Sequence, residues 1–492
     1  MLDGAINMTI KVAFIGAGSI GFTRKLFRDI LAVPELQDTH FAFTDISARN
    51  LDLVAQLCIK EITANHLPAT VSTTTDRKEA LTDADYVINC TRIGGLEAFT
   101  LDVEIPLKYG IDQCVGDTIC AGGIMYGQRN IPQMLAFCED FQRLAKPGAL
   151  FINHSNPMAM NTWAALDIGT NVVGICHGVQ NTTRQLADVL GTDTKDLYVS
   201  AAGINHQTWF IEILNKGKKV ESAELLEAYE QHPIYSKTEK VRIDVLKRFG
   251  YYSTESNGHL SEYLPWYRKR LDEIVDWIDL SKWDHGETAG YLRYCMEGRN
   301  WFETDYKVWL ESESPTIGPD IRTTEHSSRI IESIETGRPY RGHFNVRNNG
   351  AITNLPDDCI VEVPGYVDKG GIRIPSMGDL PLACAATCTA SISAQRMAKE
   401  AAVNGDIMLL KQAMLHDPLT AAVCNPEEVW QLTDEMLVAQ SKWLPQYATE
   451  VPEAKIRLLE NPRVKASNPE GIARLEVRNV DELRTGNHDR MI

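Results

Sequence analysis

Short apolar runs alternate with longer segments of helical character over the first 200 residues of the chain. The predicted strands lie at 11–15, 41–45, 84–90, 149–153 and 172–176. Helices are predicted most clearly from 127 to 144 and from 182 to 190. This alternation predicts an α/β fold with a doubly wound parallel sheet of the Rossmann type, in which ligands bind beyond the carboxyl ends of the strands.

Several residues of types that can bind a ligand lie at the ends of the predicted strands or shortly after them. They are Arg92, Gly94, Gly95, Asn153, Asn156, Cys176 and His177. Because the carboxyl ends of parallel strands meet at one edge of a sheet, we expect these residues to converge on a single crevice.

The pattern changes after about residue 200. Strand-like segments are predicted at 199–205, 209–214 and 359–364, helical ones at 223–249, 265–278 and 383–443, and loops at 300–319 and 345–358. We therefore predict a Rossmann domain at 9–200, a second α+β, largely helical domain at 201–447, and a C-terminal extension at 448–492.

The first strand runs into a glycine-rich turn with the spacing G-x-G-x-x-G. Gly16 allows the tight turn, Gly18 lets the backbone approach a pyrophosphate, and Gly21 permits close packing of the following helix. Asp45 ends the second strand, where a carboxylate can accept hydrogen bonds from a ribose diol. No Arg immediately follows Asp45, which favours NAD over NADP; the alternative is a merely structural glycine turn.

Composition excludes several classes of partner. A net charge of -17 argues against nucleic acid and anionic membranes, and no apolar run approaches the roughly 18 residues that span a bilayer. Residues 1–8 lack the basic region and apolar core of a secretory signal. Eleven scattered cysteines without a paired framework predict reduced thiols and a cytoplasmic protein.

Cys176, His177 and His206 form a candidate metal site. A thiolate and a neutral imidazole suit a first-row divalent cation, with substrate oxygens and water in the remaining positions. Two protein ligands alone make an open, weak site. The alternative is an inert cysteine at the end of a strand and two ordinary hydrogen-bonded histidines.

Seven motifs in order resemble glycoside hydrolase family 4, the NAD- and divalent-metal-dependent glycosidases, and are most similar to its melibiase-type alpha-galactosidases. They are FIGAGS at 14–19, DTxxxGGI at 117–124, NPMAMNTWA at 156–164, CHGVQ at 176–180, AGINH at 202–206, TESNGHLSEYLPW at 254–266 and RNNGAITNLP at 347–356. The resemblance runs from Ile10 to about Tyr447 and implies a fold like that of lactate and malate dehydrogenases.

The resemblance implies a redox-assisted elimination on a small glycoside. NAD takes hydride from sugar C3, a base removes the acidified proton on C2, and a divalent metal stabilises the enediolate. The C1–O bond then breaks, water adds, and NADH returns the hydride. The implied cofactor-binding residues are Gly16, Gly18, Ser19, Gly21, Asp45 and Asn153.

The resemblance also implies the other site residues. Cys176 and His206 match the metal ligands, with Mn2+ as the expected ion, and Asn156 matches the residue that holds the sugar hydroxyls. Asp117 matches an acid beside the metal and the base. His177 occupies a position where phospho-glycosidases of the family place an acidic proton donor.

Two choices stay open at this level. The base is commonly a tyrosine, and the matching stretch offers both His259 and Tyr263; Tyr263 is alternatively a core aromatic beside Trp266. Arg92 stands where relatives that act on 6-phosphorylated sugars have arginine, so it is a candidate to bind an anionic group at C6. Its alternative role is a contact to the cofactor or to a neighbouring acid.

Functions of three classes are therefore weighed. The leading one is an alpha-galactosidase, followed by an alpha-galacturonidase, an alpha-glucuronidase or another glycosidase for a C6-anionic sugar. An NAD-dependent hydroxyacid dehydrogenase and a non-catalytic sugar sensor are the alternatives of other classes. The resemblance further implies a homodimer or homotetramer.

Overall fold

The computed structural model describes residues 9–461 and 470–485. Twelve strands lie in this part of the chain. They are β1 Lys11–Ile15, β2 His40–Thr44, β3 Thr70–Thr74, β4 Tyr86–Asn89, β5 Leu150–Asn153, β6 Val172–Gly174, β7 Leu197–Ile204, β8 Gln207–Asn215, β9 Lys218–Lys219, β10 Tyr340–Arg347, β11 Ile360–Asp368 and β12 Gly371–Arg373.

Helices cover both faces of the sheet and are the main secondary structure of the second half. They are α1 Ile20–Leu31, α2 Ala48–Ala64, α3 Arg77–Leu81, α4 Gly95–Lys108, α5 Cys120–Leu144, α6 Met158–Asp167, α7 Gly178–Val189, α8 Ser222–Gln231, α9 Tyr235–Thr238, α10 Lys240–Phe249, α11 Asn257–Tyr263, α12 Ile274–Trp277, α13 Gly290–Gly298, α14 Trp301–Thr304, α15 Tyr306–Glu311, α16 His326–Thr336, α17 Leu382–Asn404, α18 Ile407–His416, α19 Pro418–Val423, α20 Pro426–Ala439, α21 Val451–Glu460 and α22 Val480–Thr485. Among the described helices, none has the length and apolarity needed to cross a bilayer.

The predicted Rossmann-type sheet is confirmed. Its parallel part has the strand order β3-β2-β1-β4-β5-β6. Strand β1 is apolar after Lys11 because both faces of the sheet are covered: Val12 and Phe14 enter one core cluster, and Ala13 and Ile15 enter another. The same double burial accounts for the unbroken apolar runs from which the strands were predicted.

The sheet continues past β6 into the second half of the chain. Strand β10 pairs antiparallel with β6, and β11, β7, β8 and β9 follow in that order. Asn345 is opposite Gly174, and Glu362 is opposite Gly203. This continuity places the segment after β6 close to the hairpin between β7 and β8. The boundaries at 200 and 447 stay predictions.

Several element predictions need correction. The predicted helix at 265–278 is wrong: α11 ends at Tyr263 and Leu264 is extended before Pro265. Within that stretch only a 3-10 turn at Leu271–Glu273 and the four residues of α12 are helical. The stretch 223–249 is divided into α8, α9 and α10, and the predicted loop 300–319 begins with α14 and α15. Strand β10 and helix α16 were not predicted.

Candidate active site

The glycine-rich turn joins β1 to α1 and is held by the end of β2. Gly16 has φ +88°, and its N–H donates to the carbonyl of Thr44 at 3.0 Å. The Gly18 N–H donates to Asp45 Oδ2 at 2.9 Å, and a Cβ at Gly18 would lie 2.7 Å from that oxygen. The turn and the acid predicted from the sequence therefore lie together, as a dinucleotide-binding site requires.

Three other predicted cofactor residues have distinct surroundings. Ser19 immediately precedes α1 and makes no side-chain capping bond. A Cβ at Gly21 would lie 2.7 Å from the ring of Trp301. The lack of a side chain at Gly21 therefore leaves room for the Trp301 indole, which comes from the second half of the chain. Asn153 is fully buried, and its Oδ1 accepts from Asn89 Nδ2 at 3.0 Å and from the Ser155 N–H at 3.1 Å. Their contacts with NAD stay predictions.

Cys176 and His206 lie together, and a third donor joins them. One ligand atom each from Cys176, His206 and Glu255 falls within 4.8 Å of the others. Cys176 Sγ donates to Glu255 Oε2 at 3.3 Å, and His206 Nε2 lies 3.9 Å from the same oxygen. A thiol, an imidazole and a carboxylate in this arrangement fit a first-row divalent cation.

Hydrogen bonds orient the His206 ring. Its Nδ1 lies 3.1 Å from Thr118 Oγ1 and 3.1 Å from the Tyr263 hydroxyl. Thr118 donates its only proton to Asp117 Oδ1 at 2.9 Å, so its oxygen accepts from Nδ1–H of His206. This assignment of the tautomer leaves the Nε2 lone pair facing Cys176 and Glu255, as a metal ligand requires. Burial lowers the pKa of His206, which keeps the ring neutral.

Asp117 connects two more predicted residues. Asn156 Nδ2 donates to Asp117 Oδ2 at 3.0 Å, and Arg92 Nη2 lies 3.8 Å from the same oxygen. Arg92 also donates to the Tyr291 hydroxyl at 3.1 Å, and its guanidinium lies over the Phe99 ring at 4.5 Å. Of the two roles weighed for Arg92, the contact to a neighbouring acid is therefore present in the structure.

Buried charges hold the loop that carries Asp117. Glu262 accepts backbone N–H bonds from Cys114 at 2.7 Å, Val115 at 2.9 Å and Gly116 at 3.1 Å. Arg268 pairs with Asp112 at the start of the loop, and both side chains are fully buried. These contacts explain why residues 265–270 follow an irregular path instead of the predicted helix.

His259 and Tyr263 lie four residues apart on α11 and both face His206. The His259 ring centroid lies 4.9 Å from that of His206, and its Nδ1 is 2.6 Å from Ser256 Oγ. Burial, assisted by His206, lowers the pKa of His259 to about 3. Burial raises the pKa of Tyr263 well above its ordinary value. The choice between them as the base stays open.

His177 lies at the mouth of the site with 37% of its side chain exposed. Its Nδ1 is 3.5 Å from Glu325 Oε1, and that oxygen also accepts from Lys25 at 2.8 Å. Burial lowers the pKa of His177, but the charge and hydrogen bond of Glu325 outweigh it and raise the pKa to about 8.

Glu255 and Glu325 were missed by the sequence analysis. Glu255 stands inside the motif at 254–266 that also holds His259 and Tyr263, so a search for a third metal donor among the quoted motifs would have found it. No pattern in the sequence marks Glu325, because its role depends on contact with a residue 148 positions earlier.

Comparisons with known proteins agree with this geometry. The model of family 4 glycosyl hydrolase matches residues 11–192, and the model of that family's C-terminal domain matches residues 201–420. The chain belongs to glycosyl hydrolase family 4. As a member of this family it is a glycosidase, and the family resemblance seen in the motifs is confirmed.

Two curated relatives and one solved structure illustrate the similarity. The chain is 59% identical over 477 residues to an alpha-galactosidase of Rhizobium meliloti (strain 1021), with 97% of each chain covered. It is 34% identical over 443 residues to an alpha-galactosidase of Bacillus subtilis (strain 168), covering 89% of this chain and 99% of the relative. The 6-phospho-beta-glucosidase of Thermotoga maritima, solved with manganese, NAD+ and glucose 6-phosphate, shares the fold with a TM-score of 0.71. The two chains are 22% identical, and the match covers 88% of this chain and 99% of that one.

Proposed function

We propose that this family 4 glycosidase is an alpha-galactosidase that requires NAD and a divalent metal, with Mn2+ as the expected ion. The convergence of Cys176 and His206 in one cluster, in a chain whose glycine-rich turn closes on Asp45, is the observation that carries the proposal. The 59% identity to an alpha-galactosidase over nearly the whole chain supports the choice of substrate.

The residues present fit both groups. The turn at Gly16 and Gly18 would hold the NAD pyrophosphate, and Cys176 and His206 would hold the metal. When bound, these groups supply a reversible hydride acceptor and a Lewis acid for an oxyanion.

The chain's own side chains orient the sugar and move its protons. Asn156 presents its amide beside Asp117, so its carbonyl oxygen is available to a sugar hydroxyl while Nδ2 is engaged by the carboxylate. His259 Nε2 or the Tyr263 hydroxyl would accept the C2 proton. His177, at the exposed mouth, is placed to protonate the leaving group, with Glu325 holding its ring.

We also propose a cytoplasmic location. All eleven cysteines are free and none is paired in a disulfide, which suits a reducing cytoplasm. We also propose a homodimer or homotetramer, as the family resemblance implies.

A panel of nitrophenyl glycosides tests the function. We expect hydrolysis of the alpha-galactoside, dependent on NAD, Mn2+ and reductant, and weaker or no hydrolysis of beta-glycosides, uronides and 6-phosphorylated sugars. NAD should be needed without net formation of NADH. Stoichiometric NADH would instead indicate a hydroxyacid dehydrogenase, and preferred cleavage of an alpha-galacturonide would support the C6-anionic alternative. Hydrolysis that survives removal of bound NAD would falsify the mechanism.

Arg92→Gln separates the two roles of that guanidinium. Because Arg92 contacts Asp117 and Tyr291, its removal should disturb Asp117 whatever the sugar carries at C6. We expect kcat/KM for neutral and anionic substrates to fall by a similar factor, about tenfold for the loss of one charged contact near the site. A loss confined to the anionic substrate would show that Arg92 binds a carboxylate or phosphate.

A further inference from the structure

Glu255 lies in the metal site but is not among the residues that the family resemblance assigns to it. Its Oε2 is the oxygen that approaches both Cys176 Sγ, at 3.3 Å, and His206 Nε2, at 3.9 Å. Donors bound at about 2.0–2.3 Å to one cation lie about 3–4.5 Å from each other. Glu255 Oε2 therefore already lies at the separation from each of the other two donor atoms that a shared coordination sphere requires.

Gly178 makes room for this carboxylate. An added Cβ at Gly178 would lie 2.0 Å from Glu255 Oε2 and 2.8 Å from its Cδ. Gly178 is the first residue of α7, and its φ is not in the left-handed region, so the backbone by itself does not require glycine there. A side chain is excluded at position 178 because the Glu255 side chain occupies the space where its Cβ would lie.

A third protein donor also answers a chemical difficulty. Cysteine and histidine alone make an open site, whereas catalytic metal sites commonly have three protein ligands with the remaining positions free for substrate and water. A carboxylate is the donor type that Mn2+ prefers, while thiolate and imidazole alone favour softer ions.

We propose that Glu255 is a third protein ligand of the divalent cation and that Gly178 is required to admit it. The inference rests on the metal site of the proposed function and extends it to a residue that is 79 positions from Cys176 in sequence. Its consequence is a site whose affinity for Mn2+ depends on a carboxylate that both the segment between α10 and α11 and the start of α7 must position.

The test measures Mn2+ binding to the metal-stripped full-length protein, by the electron paramagnetic resonance signal of free Mn2+. Glu255→Gln should weaken binding by at least about tenfold, the loss seen when even an indirect partner of a metal ligand is removed. Gly178→Ala should weaken it as well, because the new Cβ displaces Oε2. Gly178→Ala keeps every charge, so it carries the test if Glu255→Gln does not fold.

Two matched controls separate the loss of a metal ligand from the general effect of changing a buried carboxyl or adding a methyl group to a helix. Glu362→Gln makes the same change at a buried carboxyl in β11, whose Oε2 accepts from the Thr208 hydroxyl at 2.8 Å. Gly127→Ala makes the same change in α5, where the new Cβ would meet the side chains of Met160 and Ile131 at ordinary contact distances of 3.4–3.8 Å. Both controls should bind Mn2+ as wild type does.

The outcomes also distinguish this inference from the proposed function. If Glu255→Gln and Gly178→Ala bind Mn2+ like wild type while Cys176→Ser does not, the third ligand is refuted and the two-ligand site stands. An equal loss in Glu362→Gln overturns the third ligand too, since it would reflect the buried surroundings. If Cys176→Ser also binds like wild type, the metal site itself is wrong.

Discussion

Cys176→Ser is expected to abolish Mn2+ binding and to lower glycosidase activity by at least about a hundredfold. A serine hydroxyl fits the space of the buried thiol but is a poor ligand for a divalent cation at neutral pH. NAD binding should persist, because the turn at Gly16 and the carboxylate of Asp45 are not part of the Cys176–His206–Glu255 group. Mn2+ titration, NAD titration and hydrolysis of the alpha-galactoside measure the three quantities separately.

Cys138→Ser is the matched control for that substitution. Cys138 is also a buried, unpaired thiol, but it lies in the core beside Phe137 and Phe141, away from the cluster. It should leave Mn2+ binding unchanged. Full activity of Cys176→Ser with normal Mn2+ dependence would show that this thiol holds no ion, and the proposed chemistry would fail.

Asp102→Ala is expected to lower the free energy of unfolding by ~3–5 kcal/mol, the cost of leaving a buried charge without its partner. Asp102 on α4 accepts from Arg129 on α5 at 2.5 and 2.8 Å, and both side chains are fully buried. Gln440 adds a third bond to Asp102 at 2.8 Å and so ties the helical second half to α4 and α5. The midpoints of thermal and urea unfolding measure the effect.

Glu97→Ala provides the comparison on the same helix. Glu97 pairs with Lys442 at 2.5 Å, but 68% of the Glu97 side chain and 56% of the Lys442 side chain are exposed. Water screens this pair, so its loss should cost only roughly 0–1 kcal/mol. Equal shifts for the two variants would show that burial does not set the strength of the α4 contacts.

Part of the fold could be read from local pattern alone. Strands β1, β2, β4, β5 and β6 are buried on both faces, and such strands appear as unbroken apolar runs. Strand β10 was missed because its sequence Tyr340–Arg347 mixes aromatic, basic and amide side chains. Its polar Asn345 is buried only because β6 and β11 flank it, a fact that depends on tertiary pairing.

In the candidate site, too, some residues could be predicted from the sequence and others could not. Residue type and motif order were enough to select Cys176, His206, Asn156 and Asp117, and the structure brings them together. The family of the protein was also evident from those motifs.

By itself, the sequence determined the dinucleotide-binding turn, the parallel sheet and the family, because each depends on neighbours within a few residues or on a motif with fixed spacing. Only the tertiary structure showed that Glu255 reaches Cys176, that Glu325 holds His177, and that Arg92 contacts Asp117. The physical reason is that a carboxylate acts on a site only when it lies within a few ångströms of the other groups, whatever its position in the sequence. Which carboxylate reaches that space is decided by how the sheet and helices pack.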